Sequence, residues 1–399
     1  MDARPRVDKL HGMSSIARAL LLLERLVAID TTSARSNAPL IEFVRGELAA
    51  QGIECRVTVE GEKANLHAII GPRVAGGLAL SAHVDCVPVE GQAWLADPFA
   101  LRRQDGRVIG RGACDMKGFV ACVLAMVPEM LAADLARPFH LCLTHDEETT
   151  FRGADRLMDE LGHDAPPPAL CIVGEPSGMA PIIAHKGYAS WDVVFTGLSG
   201  HSSRADTTAN ALMAAAEAVA WLKAEARRFA TQGRRVEGFV PPYTTVHVGT
   251  FRAGTVLNIV PDHAAFTLEV RTVPGDEASE VLARFVAQVE SAILPELRAV
   301  HPESAMIVAP RARAPALELD EHHPLLALVQ RTSGSNSRGF VSYGTEAGYY
   351  QRAGIPAIVC GPGDIAQAHQ PEEWIAESQL QACCTFLERL IEDQVRGTG

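Results

Sequence analysis

Leu78-Ala79-Leu80-Ser81-Ala82-His83-Val84-Asp85 sets the pattern for most of this chain. Residues 78–82 are too few for a helix of ordinary length, and they lack the polar alternation of a strand with one wet face. They predict a strand buried on both faces. The run then breaks into a histidine and an aspartate. The same shape recurs twice. Residues 139–144 lead into His145-Asp146-Glu147-Glu148, and residues 170–173 lead into Glu175-Pro176. Residues 66–70 are a further short apolar run, and helical stretches at 116–131 and 153–161 lie between the runs. Short apolar strands alternating with helices predict an α/β fold with a mostly parallel central sheet covered on both faces. In such sheets, sites gather at the carboxyl ends of strands, where these polar clusters fall.

Outward from this core, residues 14–29 repeat apolar side chains at helical spacing, with Ser14 or Ser15 able to cap. A second helix is expected over 38–50, ended by Gly52. From 188 to 310 the rhythm changes. The pattern predicts a strand at 191–195, an alanine-rich helix at 209–227 and half-buried strands at 244–251 and 264–271. A helix at 277–293 and a strand at 305–309 follow. Strand–helix–strand–strand–helix–strand is the order of a ferredoxin-like α+β unit. We therefore expect a catalytic domain of 1–184 and 313–399, interrupted by an inserted unit at 185–312. The core pattern resumes with a strand at 357–360 and a closing helix at 377–395.

Composition excludes several classes. The net charge of −12 argues against a nucleic-acid binder, which needs a basic face. Hydrophobic residues at 47% and charged residues at 21% fit a globular chain. The run Ala19-Leu20-Leu21-Leu22-Leu23 is cut short by Glu24 and Arg25, so it reads as helix rather than signal core. No apolar run approaches the ~18 residues of a membrane span. Nine cysteines, an odd number without a CxxC pair, read as buried thiols of a cytoplasmic protein.

Five residues carry the chemistry: His83, Asp115, Glu148, Glu175 and His369. Imidazole nitrogen with carboxylate oxygen suits zinc, and also cobalt or manganese. Two divalent ions ~3.5–4 Å apart need a bridging carboxylate and terminal ligands on each side. Asp115 could bridge, leaving one histidine and one glutamate for each ion. Asp85 lies two strand positions from His83, on the same face, and could fix the tautomer of that ring. Glu147, beside a ligating Glu148, could act as general base toward the water that attacks an amide. Taken singly, each residue has an ordinary structural reading: a helix cap, a solvated helix start, a turn. Their joint placement at strand ends favours the metal reading.

These segments resemble the acetylornithine deacetylase and succinyl-diaminopimelate desuccinylase family of zinc-dependent exopeptidases. The matching stretches are Ser81–Asp85, Gly112-Ala113-Cys114-Asp115-Met116-Lys117-Gly118, Asp146-Glu147-Glu148, Gly174-Glu175-Pro176-Ser177, Gly200-His201-Ser202-Ser203, 257–261, 271–275 and the tail around His369. The resemblance spans residue 14 to the C-terminus. It implies that the five residues are ligands and Glu147 the base. It also implies that the inserted unit is a lid through which the protein forms a homodimer. His201 would then stabilise the oxyanion, and Asn258 and Arg271 would hold substrate, the Arg271 fork suiting an α-carboxylate. The segments around Glu346 and His369 look most like the acetylornithine deacetylase branch, with Glu346 able to face an ornithine δ-ammonium or, equally, to support the ligands from behind. The resemblance thus implies N2-acetyl-L-ornithine as substrate, in arginine biosynthesis. A broader aminoacylase or carboxypeptidase, the desuccinylase, and a metal-binding protein without turnover are the alternatives. Cys114, Phe119 and the Arg252–Thr255 loop depart from the family pattern.

Overall fold

The computed structural model describes residues 12–163 and 165–396. Residues 1–11 and 397–399 of the expected catalytic domain lie outside the described residues. Contacts among the described residues divide the chain into two compact units. One holds the chain up to Ala184 together with Glu318–Gly339 and everything from Thr345 onward. The other holds His185–Leu317 and Phe340–Gly344. The boundary expected at 312 falls inside a strand, Met306–Ala314. The return of residues 340–344 to the second unit leaves no periodic signal in sequence.

The first unit is built on a nine-stranded sheet. Its centre is parallel: Leu78–His83 lies between Phe139–Thr144 and Leu170–Pro176, and Ala357–Gly361 follows on the far side of Leu170–Pro176. The flanks are antiparallel. The hairpin Cys55–Glu60 and Lys63–Ile70 closes one side, and Ile182–His185 begins the other. All six positions of Leu78–His83 are buried. Alternate strand residues face opposite ways, so both faces must be covered. The helices Ser15–Val27, Lys117–Ala125 and Glu377–Arg396 pack on one another as one group, and Arg152–Glu160 and Ala347–Arg352 as another. Every residue of Lys117–Ala125 is buried, as expected of a helix that is apolar all round. Its Lys117 ammonium is satisfied by the carbonyl of Ile29 at 2.9 Å.

Three expectations need correction. Neither Ser14 nor Ser15 caps the first helix through its side chain, although Ser14 occupies the cap position. The helix expected over 116–131 is two, Lys117–Ala125 and Val127–Ala132, broken next to Pro128, which has no N–H to continue the first. A small antiparallel sheet of Arg102–Gln104, Arg107–Ile109 and Trp374–Ala376 was not foreseen, because three-residue strands carry too little pattern. The nine cysteines are free thiols, all but Cys55 buried. No helix among the described residues is long and apolar enough to cross a membrane.

The second unit carries a four-stranded antiparallel sheet ordered Thr245–Ala253, His263–Thr272, Gly187–Thr196, Met306–Ala314. With the helices Ala211–Gln232 and Ala278–Gln288 this is the ferredoxin-like order. Val193, Phe195, Phe266, Leu268 and Phe285 form the centre of its core. Asn210 caps the long helix, its side chain accepting from the Met213 N–H at 3.2 Å.

Candidate metal centre

His83 ends the central strand, and its ring is fixed by a bond that only one tautomer can make. Nδ1 donates to the backbone carbonyl of Asp85 at 3.0 Å. The carboxylate expected in that role is 3.6 Å away. Asp85 instead accepts from Ser33 Oγ at 2.7 Å and from the N–H groups of Glu147 and Glu148 at 3.1 and 3.3 Å. Its place is therefore beneath the glutamate pair, whose backbone it holds. That backbone turns at Asp146, in the left-handed region with φ +59, which aspartate tolerates better than most residues. Lys63 Nζ at 2.7 Å and His145 Nδ1 at 3.1 Å grip the Asp146 carboxylate.

With Nδ1 committed, Nε2 of His83 points into a cluster of carboxylates. It lies 3.0 Å from Asp115 Oδ1 and 3.6 Å from Glu175 Oε1. The other Asp115 oxygen, Oδ2, lies 3.2 Å from His369 Nε2, which is also 2.9 Å from Glu148 Oε1. Two groups result, His83–Asp115–Glu175 and Asp115–Glu148–His369, each with ligand atoms within 4.8 Å of one another. Asp115 belongs to both and offers a different oxygen to each. The structure thus brings together all five residues singled out in sequence. His83, Asp115 and Glu175 are buried and Glu148 is partly buried; His369 is half exposed and sits at φ +59.

The electrostatics call for cations. Burial, then the charge of Glu175, holds the Glu147 carboxyl well above its usual range. Burial, then Asp115, pushes Glu148 up to about 7 and Glu175 well above the usual range. Hydrogen bonds to Asp115 and Glu148 raise His369 to about 10. Burial opposes charge on His83, but Asp115 and Asp85 outweigh it and hold that imidazole high. Without a cation the cluster keeps protons to relieve crowded negative charge. Glu175 Oε1 is buried with no hydrogen-bond partner among the described residues, His83 Nε2 at 3.6 Å being too far to donate to it. Nitrogen and oxygen donors in two groups sharing one carboxylate fit a pair of divalent ions.

Glu346 requires a correction. Its carboxyl is fully enclosed, and its oxygens take the hydroxyls of Ser81 and Thr144, the latter at 2.6 Å. Ser81 Oγ lies 2.8 Å from Tyr350 Oη. Glu346 therefore braces the strands behind the centre and is closed to a substrate ammonium. Sequence reasoning passed over Glu373. This buried carboxylate accepts from the N–H groups of Gly112, Cys114 and Asp115 at 2.9–3.0 Å and from Arg111 at 2.7 Å. The nearly invisible signal is a glutamate four residues after His369 and an arginine, Arg111, directly before Gly112.

The remaining predicted residues lie in the second unit. Gly200–His201 pairs with Ile259–Val260, and Ser202 donates to the Asn258 carbonyl at 3.0 Å, so His201 and Asn258 are neighbours. His201 is exposed, its Nδ1 2.8 Å from Ser203 Oγ. Arg271 stacks over Tyr188 at 4.9 Å and donates to Glu269 at 2.9 Å. Among the described contacts none joins Arg271 to His201 or Asn258.

A buried cluster of this kind, at the strand ends of a mostly parallel sheet, makes the chain a metal-dependent amidohydrolase. It belongs to peptidase family M20/M25/M40, whose model matches residues 79–393. Similar sequences include an acetylornithine deacetylase of Myxococcus xanthus, 36% identical over 92% of this chain and 95% of that protein. One from Proteus mirabilis is 31% identical over 96% of this chain and 97% of that protein. In fold the chain is similar to an M20 family metallo-carboxypeptidase of Sulfolobus solfataricus, with TM-score 0.73 and 17% identity, covering 95% of this chain and 99% of the other. A dinuclear metal-binding M20 peptidase of Bacillus subtilis has TM-score 0.65 and 16% identity, covering 96% and 99%.

Proposed function

We propose that the protein hydrolyses the amide bond of N-acyl amino acids, with N2-acetyl-L-ornithine, giving L-ornithine and acetate, as the substrate. The observation that carries the reaction is Asp115, whose two oxygens divide between His83 with Glu175 and Glu148 with His369. These five residues hold two divalent ions, zinc in the first place. Two such ions would supply Lewis acidity there, toward the scissile carbonyl and a nearby water. Glu147 takes the proton of that water and returns it to the leaving amine. Asp85 keeps the Glu147 backbone in position.

Acetylornithine as substrate is supported by the deacetylase relatives, which align over nearly the whole chain. In this reading the ferredoxin-like unit is a lid and dimer-forming element of a cytoplasmic homodimer. Arg271 takes the α-carboxylate, Asn258 helps to hold the substrate, and His201 stabilises the oxyanion. The test is a panel of N-acyl amino acids presented to the zinc-loaded protein. N2-acetylornithine should give the highest kcat/KM. A strong preference for an N-acyl substrate without a basic side chain would overturn the ornithine assignment, and turnover without metal would overturn the mechanism.

A further inference from the structure

His369 is the weak point of the centre, and a closed ring of hydrogen bonds compensates for it. The other ligands are seated on strand ends or deep loops. His369 lies half exposed, between the short helix Ile365–Gln367 and the strand Trp374–Ala376, in a left-handed backbone conformation that β-carbon sterics disfavour. Its backbone carbonyl accepts from Gln92 Nε2 at 3.1 Å. Gln92 Oε1 accepts from Arg111 Nη2. Arg111 Nη1 donates to Glu373 Oε2 at 2.7 Å, with both side chains fully buried. Glu373 Oε1 accepts from the Asp115 N–H at 3.0 Å, and Asp115 Oδ2 faces His369 Nε2. The ring thus starts and ends on the two ligands that one half of the centre needs.

We propose that Arg111 and Glu373 are positioning residues that set the affinity of the Asp115–Glu148–His369 half far more than that of the His83–Asp115–Glu175 half. This rests on the two-ion reading above. The argument for selectivity is mechanical. His83 and Glu175 end neighbouring strands whose pairing, Ser81 with Val173, holds them without help from Glu373. Loosening the ring leaves that half two strand-borne ligands. It leaves the other half an exposed loop histidine with no anchor beyond Gln92. The Glu373 carboxylate is suited to the task because it receives four donors, three from the backbone turn that delivers Asp115. An amide in its place keeps only one acceptor oxygen and presents N–H to N–H.

The test is zinc binding by the full-length chain, by titration calorimetry and by metal content after dialysis. Wild type should bind two Zn2+. Glu373→Gln should keep one with little change in affinity, since Asp115 is shared, and bind the second about 10–100-fold more weakly, the range seen when residues behind metal ligands are removed. Gln92→Ala breaks the same ring at a partly exposed residue and should weaken the same ion by a smaller factor. It decides the matter if Glu373→Gln does not fold. Equal weakening of both ions in a folded variant, or two ions at wild-type affinity in both variants, overturns the inference. Wild type binding fewer than two ions overturns the two-ion reading instead, so the two failures are separable.

Discussion

At the scale of single residues, the proposed mechanism concentrates the proton transfers in Glu147. Glu147→Gln removes the proton acceptor while leaving every ligand in place. We expect both zinc ions to remain bound and kcat to fall by about 10²–10⁴, the usual contribution of a general base. Full activity in the zinc-loaded variant would remove Glu147 from that role. A second residue-scale prediction concerns His140. Burial, then the adjacent His67 ring 3.0 Å away, pulls His140 down to about 4. In the unfolded chain it titrates near ~6.5. Between those values the unfolded chain holds a proton that the folded chain refuses, so falling pH favours unfolding. This contribution to stability is full above ~6.5 and is lost as pH falls toward 4. The urea midpoint of His140→Gln should therefore fall less steeply than that of wild type over that interval; parallel slopes would refute the assignment. Residue type and strand-end position made His83, Asp115, Glu148, Glu175 and His369 legible in sequence. What Asp85, Glu346 and Glu373 do was not legible, because a carboxylate's partner is a tertiary fact. Asp85 and Glu373 serve backbone N–H groups, and Glu346 serves two hydroxyls from neighbouring strands.

At the scale of elements, the long periodic segments were readable and the irregular ones were not. Ala211–Gln232 and Glu377–Arg396 announce themselves by repeated apolar positions. The π-helical turn Val289–Ile293, which falls inside the helix expected at 277–293, does not, since it changes the bond pattern without changing the composition. The seating of Glu175 depends on a contact that the pattern hides. A β-carbon on Gly361 would lie 1.9 Å from the Gly174 carbonyl oxygen on the adjacent parallel strand. Gly361→Ala must therefore push Ala357–Gly361 away from Leu170–Pro176. We expect a loss of about 1–3 kcal/mol in urea unfolding, the usual cost of overpacking. Zinc should also bind more weakly at the His83–Asp115–Glu175 half. Gly46, inside Ala38–Ala49, offers the contrast, because a β-carbon there meets nothing within 4 Å. Gly46→Ala should stabilise the protein by about 0.4–1 kcal/mol and leave zinc binding untouched. If both variants shift stability alike, backbone crowding at Gly361 is not what the site depends on.

At the scale of the whole molecule, all five candidate ligands and Glu147 belong to one unit, and His201, Asn258 and Arg271 belong to the other. This division makes metal removal a selective perturbation. A ligand that binds only the folded state stabilises it in proportion to the logarithm of its excess over Kd, about 4 kcal/mol at a thousandfold excess. Here the effect should be reinforced, because stripping the ions leaves Glu147, Glu148 and Glu175 crowded in a buried space where burial and mutual repulsion already disfavour their charge. The ferredoxin-like unit has its own core of Val193, Phe195, Phe266, Leu268 and Phe285 and contributes none of the five ligands. Calorimetry should accordingly resolve two unfolding transitions in the zinc-loaded chain. Chelation should move the one belonging to the nine-stranded unit to lower temperature and leave the other in place. A single transition shifting as a whole would mean that the two units unfold together, and an unshifted pair would mean that the carboxylate cluster holds no metal that stabilises the fold.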